Sequence, residues 1–187
     1  MKLILIRHGE PTYEEVTGHG YIGFGFDLAR LTPLGRTQAE NVSQDERLRG
    51  AQLILSSPYT RALQTASVIS RNTGLPIEVE TDLHEWLPDT TYRYPDLAFV
   101  EQSSAERIRF RGKHTDDCKY PWEELEHVAD RAFRCLRKYL HYDKVIVVTH
   151  YVVMSQFRFE FDLDYCGIQE VDFDEDFQWP GFIDPLP

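Results

Sequence analysis

Hydrophobic and polar positions divide this chain into short apolar runs separated by longer mixed stretches. Leu3 to Ile6 is uninterrupted and apolar, then breaks off into Arg7, His8, Gly9 and Glu10. A run this short, rich in Ile and Leu, predicts a strand buried on both faces. Leu53-Ile54-Leu55 and Val145 to Val148 have the same character, and Ile77 to Glu80 is a further strand candidate. Thr32-Pro33 carries the cap and first-turn signal of a helix to about Leu48, with Gly50 beyond its end. By the same logic Ser57-Pro58 opens a helix that reaches about Arg71 and stops at Gly74, with Ser57 as its cap. From Trp122 to His141, the residues Leu125, Val128, Ala132, Phe133, Leu136 and Leu140 fall on one helical face. A shorter helix is expected from Tyr151 to Arg158, and Phe159 to Tyr165 alternates like a half-exposed strand. Pro11 to Arg30, rich in Gly and aromatics, reads as a long functional loop. Asp89 to Tyr120 lacks sustained periodicity and predicts loops with one or two short helices. Strands alternating with helices predict an α/β fold, a three-layer α/β/α sandwich with a mostly parallel central sheet.

A length of 187 residues suits one domain over 1–187 and is short for two. The net charge of −11 argues against a non-specific grip on nucleic acid, which needs a basic face. That charge is unevenly spread. Nine of the 31 acidic residues lie beyond Arg158, where there is no Lys or Arg, so the remainder holds 22 acidic against 20 basic residues. The segment from about residue 159 is therefore an acidic, aromatic tail. No stretch approaches the length of an apolar span, so no membrane association is expected. The first apolar run is too short for a signal peptide, and Cys118, Cys135 and Cys166 show no CxxC spacing. Reduced thiols and a cytoplasmic location are the expectation.

Candidate chemistry sits where the strands end. Arg7-His8, Ser57 with Arg61, Glu85, and His150 each follow a predicted strand. A parallel sheet gathers such ends along one edge, where ligand sites lie. Arginine and imidazole beside a turn-permitting Gly suit an anionic substrate and nucleophilic chemistry. Arg61 falls in the first turn of its helix, whose free N–H groups also favour an anion. His19, His84, His114, His127 and His141 show no HxxxH or HxH spacing, so no metal site is expected.

Five stretches then carry a resemblance. They are Leu5-Ile6-Arg7-His8-Gly9-Glu10, Leu31-Thr32-Pro33-Leu34-Gly35-Arg36-Thr37-Gln38-Ala39, Ser56-Ser57-Pro58-Tyr59-Thr60-Arg61-Ala62-Leu63-Gln64-Thr65-Ala66, Leu83-His84-Glu85, and Val147-Val148-Thr149-His150. In this order they resemble the histidine phosphatase superfamily, the branch that includes cofactor-dependent phosphoglycerate mutases, over roughly Lys2 to Ser155. The resemblance implies a phosphoglycerate mutase-like fold and a metal-independent phosphomonoesterase of the histidine acid phosphatase type, with no cofactor. It implies that His8 is the nucleophile and forms a phosphohistidine, that Arg7, Arg61 and His150 hold the phosphoryl oxygens, and that Glu85 protonates the leaving oxygen. The partner implied is a small phosphorylated substrate. Hydrolysis is preferred because the chain is shorter than the mutases and lacks their recognisable insert after Glu85. A mutase-type transfer, or phospho-ligand binding without turnover, is the alternative.

Three positions depart from the family pattern. Glu14 stands where an Asn commonly touches the phosphate, and a carboxylate there repels a phosphate unless it turns out. Pro11 replaces the Ser or Thr after Glu10, which leaves Thr12 to supply a hydroxyl to the substrate. Tyr151 replaces the Gly after the second histidine, where it narrows the pocket or bonds the substrate. Tyr21, Phe24 and Phe26 hint at a partly apolar leaving group, and Trp86 and Tyr92 stand open between packing and substrate contact. For Phe173, Phe177, Trp179 and Phe182, packing over the body is expected, with a homodimer contact or a pocket cover as alternatives.

Overall fold

Each strongly apolar run becomes a strand of one sheet. The computed structural model describes residues 1–160 and 163–182. In chain order, β1 (Lys2–Arg7), the short β2 (Pro11–Thr12), α1 (Glu14–Gly18), a 3-10 turn (Gly23–Leu28) and β3 (Arg30–Leu31) lead to α2 (Pro33–Val42). Then follow β4 (Leu53–Ser56), α3 (Thr60–Thr73), β5 (Ile77–Val79), α4 (Leu97–Arg109), α5 (Leu125–Arg137), β6 (Lys144–Thr149), α6 (Tyr151–Ser155) and β7 (Ile168–Asp172). The main sheet has the order β5-β4-β6-β1-β7, while β2 and β3 form a separate antiparallel pair. Its pairings β4–β5, β4–β6 and β1–β6 are parallel, and β7 closes the edge antiparallel to β1.

Side-chain alternation along the strands builds two cores, one on each sheet face. Leu3, Leu5, Leu53, Leu55, Val145 and Val147 pack in one cluster with Val128, Ala132 and Leu136 of α5. Ile4, Ile6, Ile54, Ile146 and Val148 form the other with Ala39 of α2 and Ala62, Ala66 and Ile69 of α3. This is the expected three-layer α/β sandwich around a mostly parallel sheet. Among the described residues no helix is long and apolar enough to cross a membrane, and all three cysteines are unpaired.

Several elements differ from expectation. Helix α2 ends at Val42, six residues early, because Ser43 turns its hydroxyl back to the Glu40 carbonyl and Asp45 caps a separate 3-10 turn. Helix α3 starts at Thr60 with Tyr59 at its cap position, not at Ser57. Gly74 does end it, in the left-handed conformation that Gly tolerates. The middle of the chain holds a 13-residue helix, α4, capped by Asp96 accepting from the Phe99 N–H at 2.8 Å. Only Ser103 of α4 is fully buried, so the helix carries no apolar stripe for periodicity to reveal. The loop from Pro11 to Arg30 contains α1 and a 3-10 turn, α5 is trimmed at both ends, and α6 stops at Ser155. Phe161 and Asp162 of the strand expected over 159–165 lie outside the described residues, and the rest of that stretch is not strand. The edge strand is β7, whose Gln169 and Val171 are buried between more exposed neighbours. Phe173 is buried, and Phe177, Trp179 and Phe182 pack against the core, so the tail lies over the body as expected. Trp179 also donates its indole N–H to Gln156 at 2.9 Å.

Where β1 leaves the sheet, two glycines let backbones touch. A Cβ on Gly35 would sit 2.2 Å from the Glu10 carbonyl oxygen, and one on Gly9 would sit 2.5 Å from that of Gly35. Both obstacles are main chain and cannot swing aside. Gly35→Ala is therefore expected to lower stability by about 1–3 kcal/mol. In urea unfolding the midpoint should fall while the slope stays unchanged.

Candidate active site

Parallel pairing delivers the reactive groups to one place. Strands β1 and β6 are neighbours with Arg7 opposite Thr149, so the residues that follow them, His8 and His150, emerge side by side. Their ring centroids are 5.0 Å apart. On the other side of β6, β4 places Ser56 opposite Val148, and Ser57 Oγ lies 2.7 Å from His150 Nε2. Ser57 also accepts from the Tyr59 N–H at 3.3 Å. Its hydroxyl serves the second histidine and the turn, not a helix cap. Three residues on, α3 begins, and Arg61 in its first turn donates Nε–H to His8 Nε2 at 3.3 Å.

Glu85 arrives by a different route, through the turn after β5. Thr149 donates its hydroxyl to the Leu83 carbonyl at 2.8 Å. From α5, Arg131 donates to the carbonyls of Asp82 (2.6 Å), His84 (2.8 Å) and Glu85 (3.3 Å), and its charge is matched by buried Glu123 at 2.7 Å. This anchored loop turns the Glu85 carboxyl toward α6, where it accepts N–H bonds from Trp86 at 2.8 Å and Val152 at 3.3 Å.

Electrostatics follow from burial. His8 Nδ1 lies 2.7 Å from the Gly9 carbonyl, which can only accept, so the proton sits on Nδ1 and Nε2 keeps its lone pair. Burial and the adjacent Arg61 charge hold the His8 pKa well below the usual imidazole range, and the same causes act on His150. Burial raises the Glu85 carboxyl pKa against the two N–H bonds and the nearby arginines. Asp27, 3.5 Å from Arg61 Nη1, is close enough for charge attraction but not for a hydrogen bond. Its pKa is pushed up to about 6 by burial, which outweighs the opposing pull of Arg61 and the Tyr59 hydroxyl.

Arg7 is held by the chain that returns after α6. It donates Nη1–H to the Leu163 carbonyl at 2.6 Å. Its guanidinium lies 4.1 Å from the Tyr165 ring centroid and 5.5 Å from that of Tyr151. Three buried donors, Arg7 Nε, Arg61 Nη1 and His150 Nδ1, have no hydrogen-bond partner among the described residues. Unmet donors on three residues around one neutral imidazole make a receptor for an anion. Beside it opens a cavity of ≈ 230 Å³ lined by Tyr13, Phe26, Asp27, Arg61, Glu85 and Trp86 among others. Among the described residues, no three His, Cys, Asp or Glu side chains are grouped to hold a metal ion.

Five of the six residues singled out from sequence, Arg7, His8, Arg61, Glu85 and His150, thus converge. Thr12 does not join them. It lines a separate shallow cleft with Glu14, Arg30 and Arg36, where its hydroxyl accepts from the Glu14 N–H at 3.4 Å. Glu14 is exposed, and its neighbour Tyr13 faces the cavity instead. Phe26 lines that cavity, whereas Tyr21 and Phe24 are exposed and Phe24 stacks on Tyr92 at 4.2 Å.

Residues 3–178 match the sequence profile of the histidine phosphatase superfamily, branch 1. The chain belongs to this superfamily. Over 154 residues it is 29% identical to a Hydrogenobacter thermophilus protein named as a phosphoserine phosphatase, covering 80% of this chain and 72% of that one. It is 36% identical over 84 residues to glucosyl-3-phosphoglycerate phosphatase of Mycobacterium tuberculosis, an alignment that spans 45% of this chain and 36% of that protein. The fold is that of the mycobacterial glucosyl-3-phosphoglycerate phosphatase structure, with a TM-score of 0.68, 21% identity, and 97% of this chain and 92% of the other covered. The α-ribazole phosphatase of Shigella flexneri is equally similar in fold, with a TM-score of 0.68, 23% identity, and 97% and 96% coverage.

In this member of the superfamily the structure adds Asp27, Tyr59, Tyr165 and Arg107 to the site's surroundings. Tyr59 lies inside the third motif, whereas Asp27, Tyr165 and Arg107 follow no predicted strand and no spacing links them to the motifs. Cys166 turns the chain with φ 58 and donates N–H to the Arg7 carbonyl at 3.0 Å, and only that return brings Tyr165 to Arg7. Cation–π contact here is worth about 0.5–2 kcal/mol. Tyr165→Leu is expected to weaken inorganic phosphate binding by about two- to thirty-fold in titration calorimetry. Tyr165→Phe, which keeps the ring, should bind as wild type does.

Proposed function

We propose that the chain is a phosphatase that hydrolyses a phosphomonoester through a phosphohistidine on His8. The observation that carries this reading is the neutral His8 with its Nε2 lone pair set among three unmet donors. In the first step Nε2 attacks phosphorus, the N–P bond forms and the ester P–O bond breaks. Glu85 gives its proton to the departing oxygen. Water then attacks the phosphorus, the N–P bond breaks, and a proton from that water returns to Glu85 while orthophosphate leaves. Arg7, Arg61 and His150 hold the phosphoryl oxygens throughout. Since Ser57 Oγ already accepts from Tyr59, its own proton is available to His150 Nε2, which leaves Nδ1–H to meet the phosphoryl group. Phosphoryl transfer gains mainly from positioning and charge neutralisation, and two guanidiniums supply both. The relatives named as phosphatases support hydrolysis.

Hydrolysis of phenyl phosphate should persist in EDTA and be abolished in His8→Ala. Quenching of wild type with labelled substrate in alkaline SDS should leave phosphate on His8, and a wild-type protein without turnover or label would overturn the reading.

The pH profile tests Glu85. Its protonated form is the donor and its pKa is raised by burial, so the rate should fall as pH climbs through that raised value. On the acid side the rate should fall only below the depressed pKa of His8. Glu85→Gln should lower kcat by about 10²–10⁴-fold and remove the alkaline limb.

A further inference from the structure

Beyond the phosphoryl site, a half-buried arginine holds a buried N–H without a partner. Arg107 lies on α4, and no ion pair reaches it among the described residues. Its Nη2 donates to Ser104 Oγ at 3.2 Å, its guanidinium lies 4.7 Å from the Trp86 ring centroid, and its Nε is buried with no partner. Ser104 and Trp86 both line the cavity that holds Arg61 and Glu85. Arg107 itself lines a second cavity of ≈ 130 Å³, otherwise walled by Leu125, Tyr151, Val152, Phe159 and Phe182 among others. Val152 belongs to both cavities, so Arg107 stands at their junction. Burial lowers its pKa, and Glu85 and Tyr151 work against that shift. Glu85 is itself the protonated donor in the proposed reaction, so it does not serve as the missing counter-ion.

A buried N–H calls for an acceptor, and the planar fork of an arginine matches a carboxylate. We propose that Arg107 binds a carboxylate attached to a small apolar or aromatic body, which the surrounding walls accept. The carboxylate has two possible sources, the leaving group of the phosphomonoester or a separate acid. In the first case Arg107 selects the substrate, and this part of the inference rests on the phosphatase reading above.

The test compares carboxyphenyl phosphate with phenyl phosphate as a ratio of kcat/KM, in wild type, Arg107→Gln and Arg107→Lys. If the leaving group carries the carboxylate, wild type should prefer the carboxylated ester by about ten-fold or more, and Arg107→Gln should bring the ratio close to one. Arg107→Lys, which keeps charge without the fork, should fall between. If the ligand is a separate acid, wild type should show no preference, but benzoate should bind in titration calorimetry and lose about ten-fold or more in affinity in Arg107→Gln. Equal ester ratios in wild type and variants, with benzoate binding absent or unchanged by the substitution, would overturn the proposal. Failure of both esters to turn over in wild type counts against the phosphatase reading alone, because the benzoate measurement still decides the site.

Discussion

A carbonyl can only accept a hydrogen bond, and the Gly9 carbonyl lies 2.7 Å from His8 Nδ1. The tautomer this imposes exposes the Nε2 lone pair, and Arg61 Nε–H points at that lone pair instead of at a proton. A charged His8 would clash with Arg61 and with Arg7 next to it, so the two guanidiniums and the neutral ring require one another. The strand end, the Gly9 turn and the close approach of Gly35 all hold that carbonyl where it is. The Gly9 N–H is also tied to Thr65 of α3 at 3.0 Å. Helix α3, which brings Arg61, is thereby coupled to the turn that orients His8.

Keeping such groups buried makes the site costly to the fold, and pH exposes the cost from two directions. His8 and His150 have depressed pKa values in the folded chain. Below about pH 6.5 the unfolded chain binds protons that they refuse, so their contribution to stability declines as pH falls. Asp27 works the other way. Its pKa of about 6 lies above the ordinary value of 3.8, so its contribution is complete below 3.8 and lost as pH rises toward 6. Orphan donors add about 1–3 kcal/mol each in unmet desolvation, which an anion in the site relieves. Two cores that bury twelve strand side chains supply the surplus that tolerates these terms.

Much of the architecture was legible in local pattern. Continuous apolar runs marked β1, β4 and β6, because strands buried on both faces show no alternation. Thr32-Pro33 and Gly74 marked helix boundaries through cap geometry, which is local. Ser57 misled for an instructive reason: its hydroxyl has the chemistry of a cap but is engaged by His150, a partner 93 residues away. A short helix was expected between Asp89 and Tyr120, but the bounds of α4 escaped because its one buried position leaves no stripe, and β7 escaped because its length and edge position depend on pairing with β1.

Sequence by itself determined the α/β class, the motifs and five residues that meet in the site, since all of these are written in residue type, order and short-range spacing. Only the tertiary structure decided what surrounds them. Thr12 falls into another cleft and Glu14 turns outward because α1 begins there. Asp27, Tyr165 and Arg107 reach the site from segments whose placement is set by long-range packing. Ionisation was likewise undecided by sequence. A histidine or a carboxyl carries its ordinary pKa until burial and neighbouring charges shift it, and both exist only in the folded chain.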